Sequence, residues 1–159
     1  MSVQIPNLHT SNPTRSEFKA TVHIARRKDA AHAGVFSLGG TFQFNPATDD
    51  YPSGQFTLKV DLSDSVQGVF TTKDVQQLNT TGKHTPTLFA TGRCDLEGTA
   101  GRKVRGCRYW LLLADNRPSG DDGTPDMVSF LIFDRTGVRV AYGTGPVVRG
   151  SITIGPTSE

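Results

Sequence analysis

The stretch LFATGRCDLEGTAGRKVRGCRYWLLL, residues 88–113, decides the fold of this chain. Apolar and polar residues alternate on both sides of a turn at residues 100–101, and this period of two is typical of a β-hairpin with one buried face. Facing residues then have numbers that sum to 201, so that Leu96, for example, lies opposite Arg105. This register places nearly all the apolar residues on one side, and a slip by one residue would turn them outward.

The hairpin also brings the two cysteines of the chain, Cys94 and Cys107, opposite each other. Facing residues of antiparallel strands have Cα atoms about 4.5–5.5 Å apart, a separation that a disulfide can bridge. The pair is therefore a candidate disulfide, and two buried free thiols are the alternative. The absence of a nearby histidine in the sequence argues against a zinc site.

The other face of the hairpin carries Arg93 opposite Arg108, with Arg105 close to its tip. Like charges that face each other destabilise a sheet, so we expect compensation by an acidic loop of the same chain, an anionic ligand or a partner chain. Trp110 lies on this face and is either a stacking platform or a packing residue. The candidate ligand or partner face comprises Arg93, Arg105, Arg108, Tyr109 and Trp110.

Alternation predicts further strands before the hairpin, at 17–24, 36–45, 55–62 and 66–72. Residues 74–86 are less regular and are interpreted as a short strand followed by a loop. All of these segments are short, which is typical of chains built from hairpins.

After the hairpin, residues 127–133 are apolar at both parities, as expected for a strand that is covered on both faces. DRTG at 134–137 has the residues of a type I turn. A return strand is predicted at 138–142, a second turn at GTGP (143–146) and a closing strand at 148–154.

The predicted fold class is all-β: an antiparallel β-sandwich or flattened barrel built of hairpins, with about nine or ten strands and little or no helix. The 159 residues, with 17 glycines and 9 prolines, fit one domain rich in strands and turns. We predict a flexible N-terminal arm at 1–16, a single β-sandwich domain at 17–154 and a C-terminal tail at 155–159.

Charge and hydropathy exclude some classes of partner. A net charge of +2 is too small to indicate a nucleic-acid partner. No apolar run approaches the roughly 18 residues of a membrane helix, so no membrane insertion is expected, and the first residues lack a signal-peptide core. A native start at Met1 favours a cytoplasmic protein, whereas a start cut from a longer precursor leaves the compartment open.

The segment ADNRPSGDDGTPD, residues 114–126, concentrates carboxylates on one loop. Oxygen ligands on a shaped loop suit a hard cation such as calcium, although the spacing is not that of an EF-hand and the same residue types are common in turns. No other cofactor is indicated, and the sequence carries none of the common catalytic motifs. The candidate metal ligands are Asp115, Asp121, Asp122 and Asp126. If the chain is an enzyme, Asp115, Asp122 and Asp126 are the best candidates for its catalytic acids.

The order of these motifs resembles the small β domain at the C-terminal end of many exported bacterial surface proteins. The resemblance covers roughly residues 34–154 and depends on EGTA (97–100), DNRPSG (115–120), VSFLIF (128–133) and GSITI (150–154), with Asp126 between the second and third. It implies an extracellular or cell-surface β-sandwich with a structural or adhesive role, and it carries over no catalytic residue.

These observations favour a non-catalytic structural or assembly module that self-associates or binds a protein partner. A sandwich that binds carbohydrate or another anionic ligand through Trp110, Tyr109 and the arginines is the first alternative. An enzyme whose site is assembled from residues distant in sequence is the second.

Overall fold

The computed structural model describes residues 13–26, 32–82, 84–98, 103–116 and 124–155. In these ranges the chain forms strands and no helix, so no described helix is long and apolar enough to cross a membrane. The strands are β1 (Thr14–Ile24), β2 (Gly34–Phe44), β3 (Ser53–Leu62), β4 (Gly68–Thr72), β5 (Gln77–Thr81), β6 (Thr87–Gly98), β7 (Lys103–Ala114), β8 (Met127–Phe133) and β9 (Arg139–Gly155).

The strands close into an eight-membered antiparallel ring. From β1 to β4 and from β5 to β9 each strand pairs with the next, and β1 also pairs with β9. The short strands β4 and β5 both pair with β6, at 94–98 and 87–91, and together they act as one member of the ring. The prediction of an antiparallel all-β chain is confirmed for the described residues. The ring is a barrel, which fits the barrel alternative and not the open-edged sandwich.

Side chains fill the interior of the barrel, as expected because eight strands leave a space only wide enough for them or for one small ligand. One continuous cluster of buried apolar residues runs through it. Aromatic edges meet at its centre, where the ring centroids of Phe36 and Phe130 are 4.8 Å apart. Large members of the cluster include Phe36, Phe42, Phe56, Phe70, Tyr109 and Phe130.

Strand β9 corrects the prediction of a turn at 143–146. It continues from Arg139 to Gly155 and pairs first with β8 and then with β1. Its glycines serve packing: a Cβ on Gly143 would lie 2.8 Å from the Phe130 ring, and one on Gly145 would lie 2.6 Å from Val22 Cγ1. A glycine that makes room inside the barrel was therefore mistaken for a turn signal.

The ends of the barrel differ slightly from the predicted boundaries. Strand β1 begins at Thr14, so residues 14–16 of the predicted arm belong to the sheet, and Thr14 and Ser16 are buried. Strand β9 ends at Gly155. Residues 1–12 of the predicted arm and 156–159 of the predicted tail lie outside the described residues.

Candidate functional site

The β6–β7 hairpin has the predicted register from Leu88 as far as the cysteines. Cys94 faces Cys107 with their Cα atoms 4.9 Å apart, and the two are joined by a disulfide. Both side chains point into the barrel and are fully buried. The predicted disulfide is thus present, and it crosslinks two neighbouring strands on the inner side of the wall.

Beyond the cysteines the register shifts by one residue, which corrects one predicted pair. Asp95 lies opposite Arg105, and Leu96 lies opposite Val104 rather than Arg105. Gly106 is the extra residue, with φ of 75°, a left-handed conformation that glycine adopts without strain. Its N–H donates to Asp95 Oδ1 at 3.0 Å, which fixes the bulge.

Arg93 and Arg108 face each other on the outer surface as predicted, and an acidic residue of the same chain compensates them. Asp74, in the connection between β4 and β5, accepts from Arg93 Nε at 2.6 Å and from the Arg93 backbone N–H at 2.7 Å. Desolvation tends to raise the pKa of Asp74, but these hydrogen bonds and the nearby arginines outweigh it and hold the pKa below its usual value.

Tyr109 does not belong to the outer face, because its side chain points into the barrel and is 1% exposed. It lies opposite Gly92, where a Cβ would overlap the carbonyl oxygen of Asp74. The Tyr109 hydroxyl donates to that same oxygen at 2.8 Å, and burial raises its pKa well above the usual value. Its role is to anchor the β4–β5 connection from inside.

An aromatic and aliphatic patch lies on the outer side of β7, with one residue each from β6, β8 and β9. Trp110 is 43% exposed and Leu112 is 46% exposed. The ring of Phe89 lies 5.6 Å from that of Trp110, centroid to centroid. Leu131 is next to Trp110 across the sheet, and Tyr142 is next to Leu131. We call this set the apolar face: Phe89, Trp110, Leu112, Leu131 and Tyr142.

The opposite side of the barrel has a different outer surface. Most outward positions of β1, β2 and β3 carry polar or charged side chains, and β2 lies diametrically across the ring from β7. Val35 on β2 is the exposed apolar exception on this side, and Trp110 and Leu112 are the exposed apolar side chains on the outer surface of β7. These polar outward residues include Arg15, Glu17, Lys19, Thr21, Ser37, Thr41, Gln43, Gln55, Thr57, Lys59 and Asp61.

One row of residues borders the apolar face with positive charge. Arg93, Arg108, Phe133 and Arg139 follow one another across β6 to β9, and we call the three arginines the arginine row. The Arg139 guanidinium lies 4.0 Å from the centroid of the Tyr142 ring, a cation–π geometry. The predicted Arg105 is also exposed, but it lies beyond the bulge and outside this row.

Asp115 and Asp126, two of the candidate metal ligands, bind backbone amides. Where β9 has left β8, its Ile152 N–H donates to Asp126 Oδ2 and its Ile154 N–H to Asp115 Oδ2, both at 3.3 Å. Asp126 Oδ1 also accepts from the N–H of Asn116 at 2.8 Å. The carboxylates thus take the place of a neighbouring strand.

No group of three or more His, Cys, Asp or Glu side chains suited to a metal occurs among the residues that the structure describes. Asp121 and Asp122, the other two candidate ligands, lie outside those residues, and so does the centre of the acidic loop. Calcium binding by this loop therefore stays a prediction. The same holds for Asp122 as a candidate catalytic acid.

A further cluster, which the sequence did not reveal, joins three segments at one end of the barrel. Asp64 pairs with His32 Nδ1 and accepts from the Tyr142 hydroxyl at 2.8 Å, and the His32 and Tyr142 rings stack with centroids 4.0 Å apart. Burial tends to raise the pKa of Asp64, but these two hydrogen bonds outweigh it and lower the pKa. The residues are far apart in sequence, so only the folded ring brings them together.

Comparison of the chain with protein-family models, with curated proteins and with solved structures found no match.

Proposed function

We propose that this protein is a non-catalytic assembly module that associates with a second copy of itself through the apolar face. The observation that carries the proposal is the exposure of Trp110 and Leu112, side by side on the outer surface of β7, among other apolar side chains. Contiguous apolar patches on the surface of a protein commonly mark interaction sites. The interior of the barrel is filled by buried apolar side chains, so the outer surface is a better candidate than the interior for binding a partner.

The size of the face suits a dimer contact. Strands lie about 4.8 Å apart and outward residues about 7 Å apart along each strand, so the two rows of the apolar face together with one row on either side of it project roughly 400 Å² on β6, β7 and β8. A standard interface uses about 800 Å² of accessible surface from each partner. The flanking strands β5 and β9 lie beside this area in the sheet and can supply the remainder.

The arrangement of charge selects one two-fold axis. An axis parallel to the strands would set the arginine row against its own copy, with three arginines and one carboxylate, that of Asp74, from each partner, and the surplus of positive charge is repulsive. An axis across the strands, between Trp110 and Leu112, sets the arginine row against the uncharged row that contains Thr87, Ala114 and Met127. In this arrangement Trp110 of each copy packs on Leu112 of the other.

The experiment is size-exclusion chromatography with light scattering on the full chain and three variants. The wild type is expected to be a dimer, and Trp110→Lys and Leu112→Lys are expected to be monomers because each buries a charge at the contact. Gln55→Lys adds the same charge on exposed polar surface and should leave the dimer intact. A wild type that is monomeric at its highest soluble concentration would contradict the proposal.

A mixing experiment tests the axis. Trp110→Lys and Leu112→Asp should each be monomeric alone, since each places a charge against an apolar side chain at both contacts. In the mixture one contact joins Lys to Asp and the other keeps the native pair, so a heterodimer should form and be visible by native mass spectrometry. Failure of the mixture to associate would reject this axis.

The compartment proposed for this module is extracellular or at the cell surface. The resemblance to exported surface domains favours it, and the Cys94–Cys107 disulfide supports it because disulfides persist in oxidising compartments.

A second candidate function is binding of an acidic carbohydrate. The exposed Trp110 next to Arg93 and Arg108 favours it, since an aromatic ring stacks on sugars and guanidinium groups pair with carboxylate or sulfate. A glycan array distinguishes the two functions: binding that is lost in Trp110→Ala while the chain stays monomeric supports this candidate over assembly.

A further inference from the structure

Gly39 and Gly40 are adjacent in the middle of β2, but packing explains only the second. A Cβ on Gly40, which points inward, would overlap Gln55 O and lie 2.7 Å from Phe56 Cα. A Cβ on Gly39, which points outward, would meet nothing closer than 3.6 Å, and the φ of Gly39 is not in the left-handed region. Glycine weakens a strand and often marks the place where a ligand approaches the backbone.

A shallow hollow of about 520 Å³ lies on the outer surface of β1, β2 and β3, and Gly39 is one of the residues that line it. Lys19 and Thr57 are the sheet neighbours of Gly39 on either side. One row further along, Thr21 and Lys59 are the neighbours of Ser37. The hollow is therefore bordered by ammonium and hydroxyl groups on all three strands: Lys19, Thr21, Ser37, Thr57 and Lys59.

The two lysines are available to a ligand. Both are exposed, and neither forms an ion pair in the part of the chain that the structure describes. The nearest carboxylate along β1, Glu17, pairs with Arg15 at 3.5 Å. On β3, Asp61 shares the outer face with Lys59 and lies one row away. The hollow thus combines two positive charges with neutral donors.

We propose that the Gly39 hollow binds an oxyanion, a sulfate or phosphate group that is either free or the ester of a larger molecule. Lys19 and Lys59 hold the group from opposite sides, and the hydroxyls of Thr21, Ser37 and Thr57 donate to its oxygens. Hydrogen bonds to a charged group are the stronger kind, and the bare backbone at Gly39 lets the group approach closely. The site is independent of assembly, because β2 is across the barrel from β7.

The experiment follows backbone amide shifts of the full chain by NMR during titration with inorganic phosphate, against chloride at matched ionic strength. Saturable shifts are expected at outward residues of β1, β2 and β3. Lys19→Gln and Lys59→Gln should each weaken binding by roughly tenfold. Lys73→Gln, which removes an exposed lysine in the β4–β5 connection, is the matched control and should bind as the wild type does. A parallel titration with a sulfated disaccharide separates the sources: tighter binding than the free ion assigns an ester, and equal binding assigns the ion.

Gly39→Val decides between a ligand site and a structural glycine. Valine covers the bare backbone at Gly39, fits the space there and favours a strand, so this variant should lose phosphate binding while its melting temperature stays equal or rises. Three results would overturn the proposal: no saturable shift in the wild type, phosphate binding retained by Gly39→Val, or a loss of stability in Gly39→Val as large as that in Gly40→Ala.

Discussion

The contact between Gly92 and the β4–β5 connection depends on a single absent side chain. The Asp74 carbonyl occupies the place of a Cβ at Gly92 and accepts the hydroxyl of the facing Tyr109. Gly92→Ala is expected to lower the free energy of unfolding by about 2–3 kcal/mol, because backbone must move and the Tyr109 hydrogen bond is strained. Urea unfolding measures this effect.

The matched control for Gly92→Ala is Gly39→Ala, whose added Cβ has ordinary contacts only. We expect it to leave the free energy of unfolding equal or slightly higher, since alanine restricts the unfolded chain. If the two variants lost equal stability, the loss would be a general cost of replacing glycine in this sheet, and the contact between Gly92 and the Asp74 carbonyl would not be its cause.

The lowered pKa of Asp74 also determines part of the pH dependence of the free energy of unfolding. Although desolvation opposes it, the hydrogen bonds from Arg93 lower the pKa of Asp74 in the folded protein. A carboxyl with a lower pKa in the folded state stabilises the fold above its unfolded pKa of about 3.9, and this contribution is lost as the pH falls through the folded pKa. Asp74→Asn should therefore reduce the acid-induced fall in the free energy of unfolding, measured in urea from pH 7 downward.

Arg93→Gln separates the two hydrogen bonds that reach Asp74. It removes the guanidinium but keeps the backbone N–H that also donates to the carboxylate. Its pH dependence should lie between those of the wild type and Asp74→Asn. If the free energy of unfolding of this variant fell with pH as steeply as that of the wild type, the backbone N–H of Arg93 alone would account for the lowered pKa of Asp74.

At the scale of the element, two backbone N–H groups in the C-terminal half of β9 donate to carboxylates, where a neighbouring strand would normally accept them. Asp126→Ala removes the acceptor of the Ile152 N–H and of the Asn116 N–H. We expect hydrogen exchange at Ile152 and Ile154 to accelerate by roughly ten- to a hundredfold, as local opening becomes about 1.4–2.8 kcal/mol easier. Exchange in β1–β3 away from β9 should not change.

Asp134→Ala is the control for this element, because Asp134 also binds backbone amides but within its own turn, at Thr136 and Val138. It should accelerate exchange there and leave Ile152 unaffected. Equal acceleration at Ile152 in both variants would mean that β9 opens as a unit with the turn and that Asp126 has no local role.

The same element shows what a sequence pattern can and cannot predict. Alternation fixed the pairing from Leu88 to Cys94 because each strand there has one buried face. The predicted pairing failed between Gly106 and the tip of the hairpin. A bulge adds one residue to a strand, and the residue types of the two strands give no sign of it. The candidate face was predicted in part: Arg93, Arg108 and Trp110 are outward, whereas Tyr109 has the apolar parity and is inward.

At the scale of the whole molecule, ring closure was not predictable from alternation. Strands of a sandwich and of a barrel both have one inner and one outer face, so both folds give the same alternation of apolar and polar residues. The deciding contact pairs β1 with β9, near opposite ends of the chain, and no local signal announces it. The cluster of His32, Asp64 and Tyr142 was missed for the same reason, because each comes from a different segment of the ring.

The closed ring determines how the Cys94–Cys107 disulfide responds to reductant. Both cysteines are fully buried inside the wall, and a thiolate reductant needs direct access to a sulfur atom. We therefore expect reduction under native conditions to be as slow as the opening of the barrel and to become fast in urea, measured by maleimide labelling. Thr41→Cys, which adds an exposed thiol on β2, should label at once in the native protein.

Once the bond is removed, the hydrophobic core should still hold the ring together. The disulfide closes a loop with a sequence separation of only 13 residues, between strands that are already paired along their length. Replacing both cysteines with alanine should lower the free energy of unfolding by about 2–4 kcal/mol and leave a folded barrel. If the proposed dimer forms, it should persist in this variant, because both cysteines point inward whereas Trp110 on β7 points outward. Unfolding of this variant would show that the disulfide-linked hairpin, and not the closed ring with its core, holds the molecule together. Rapid reduction of the native protein would show that the closed ring does not shield the disulfide.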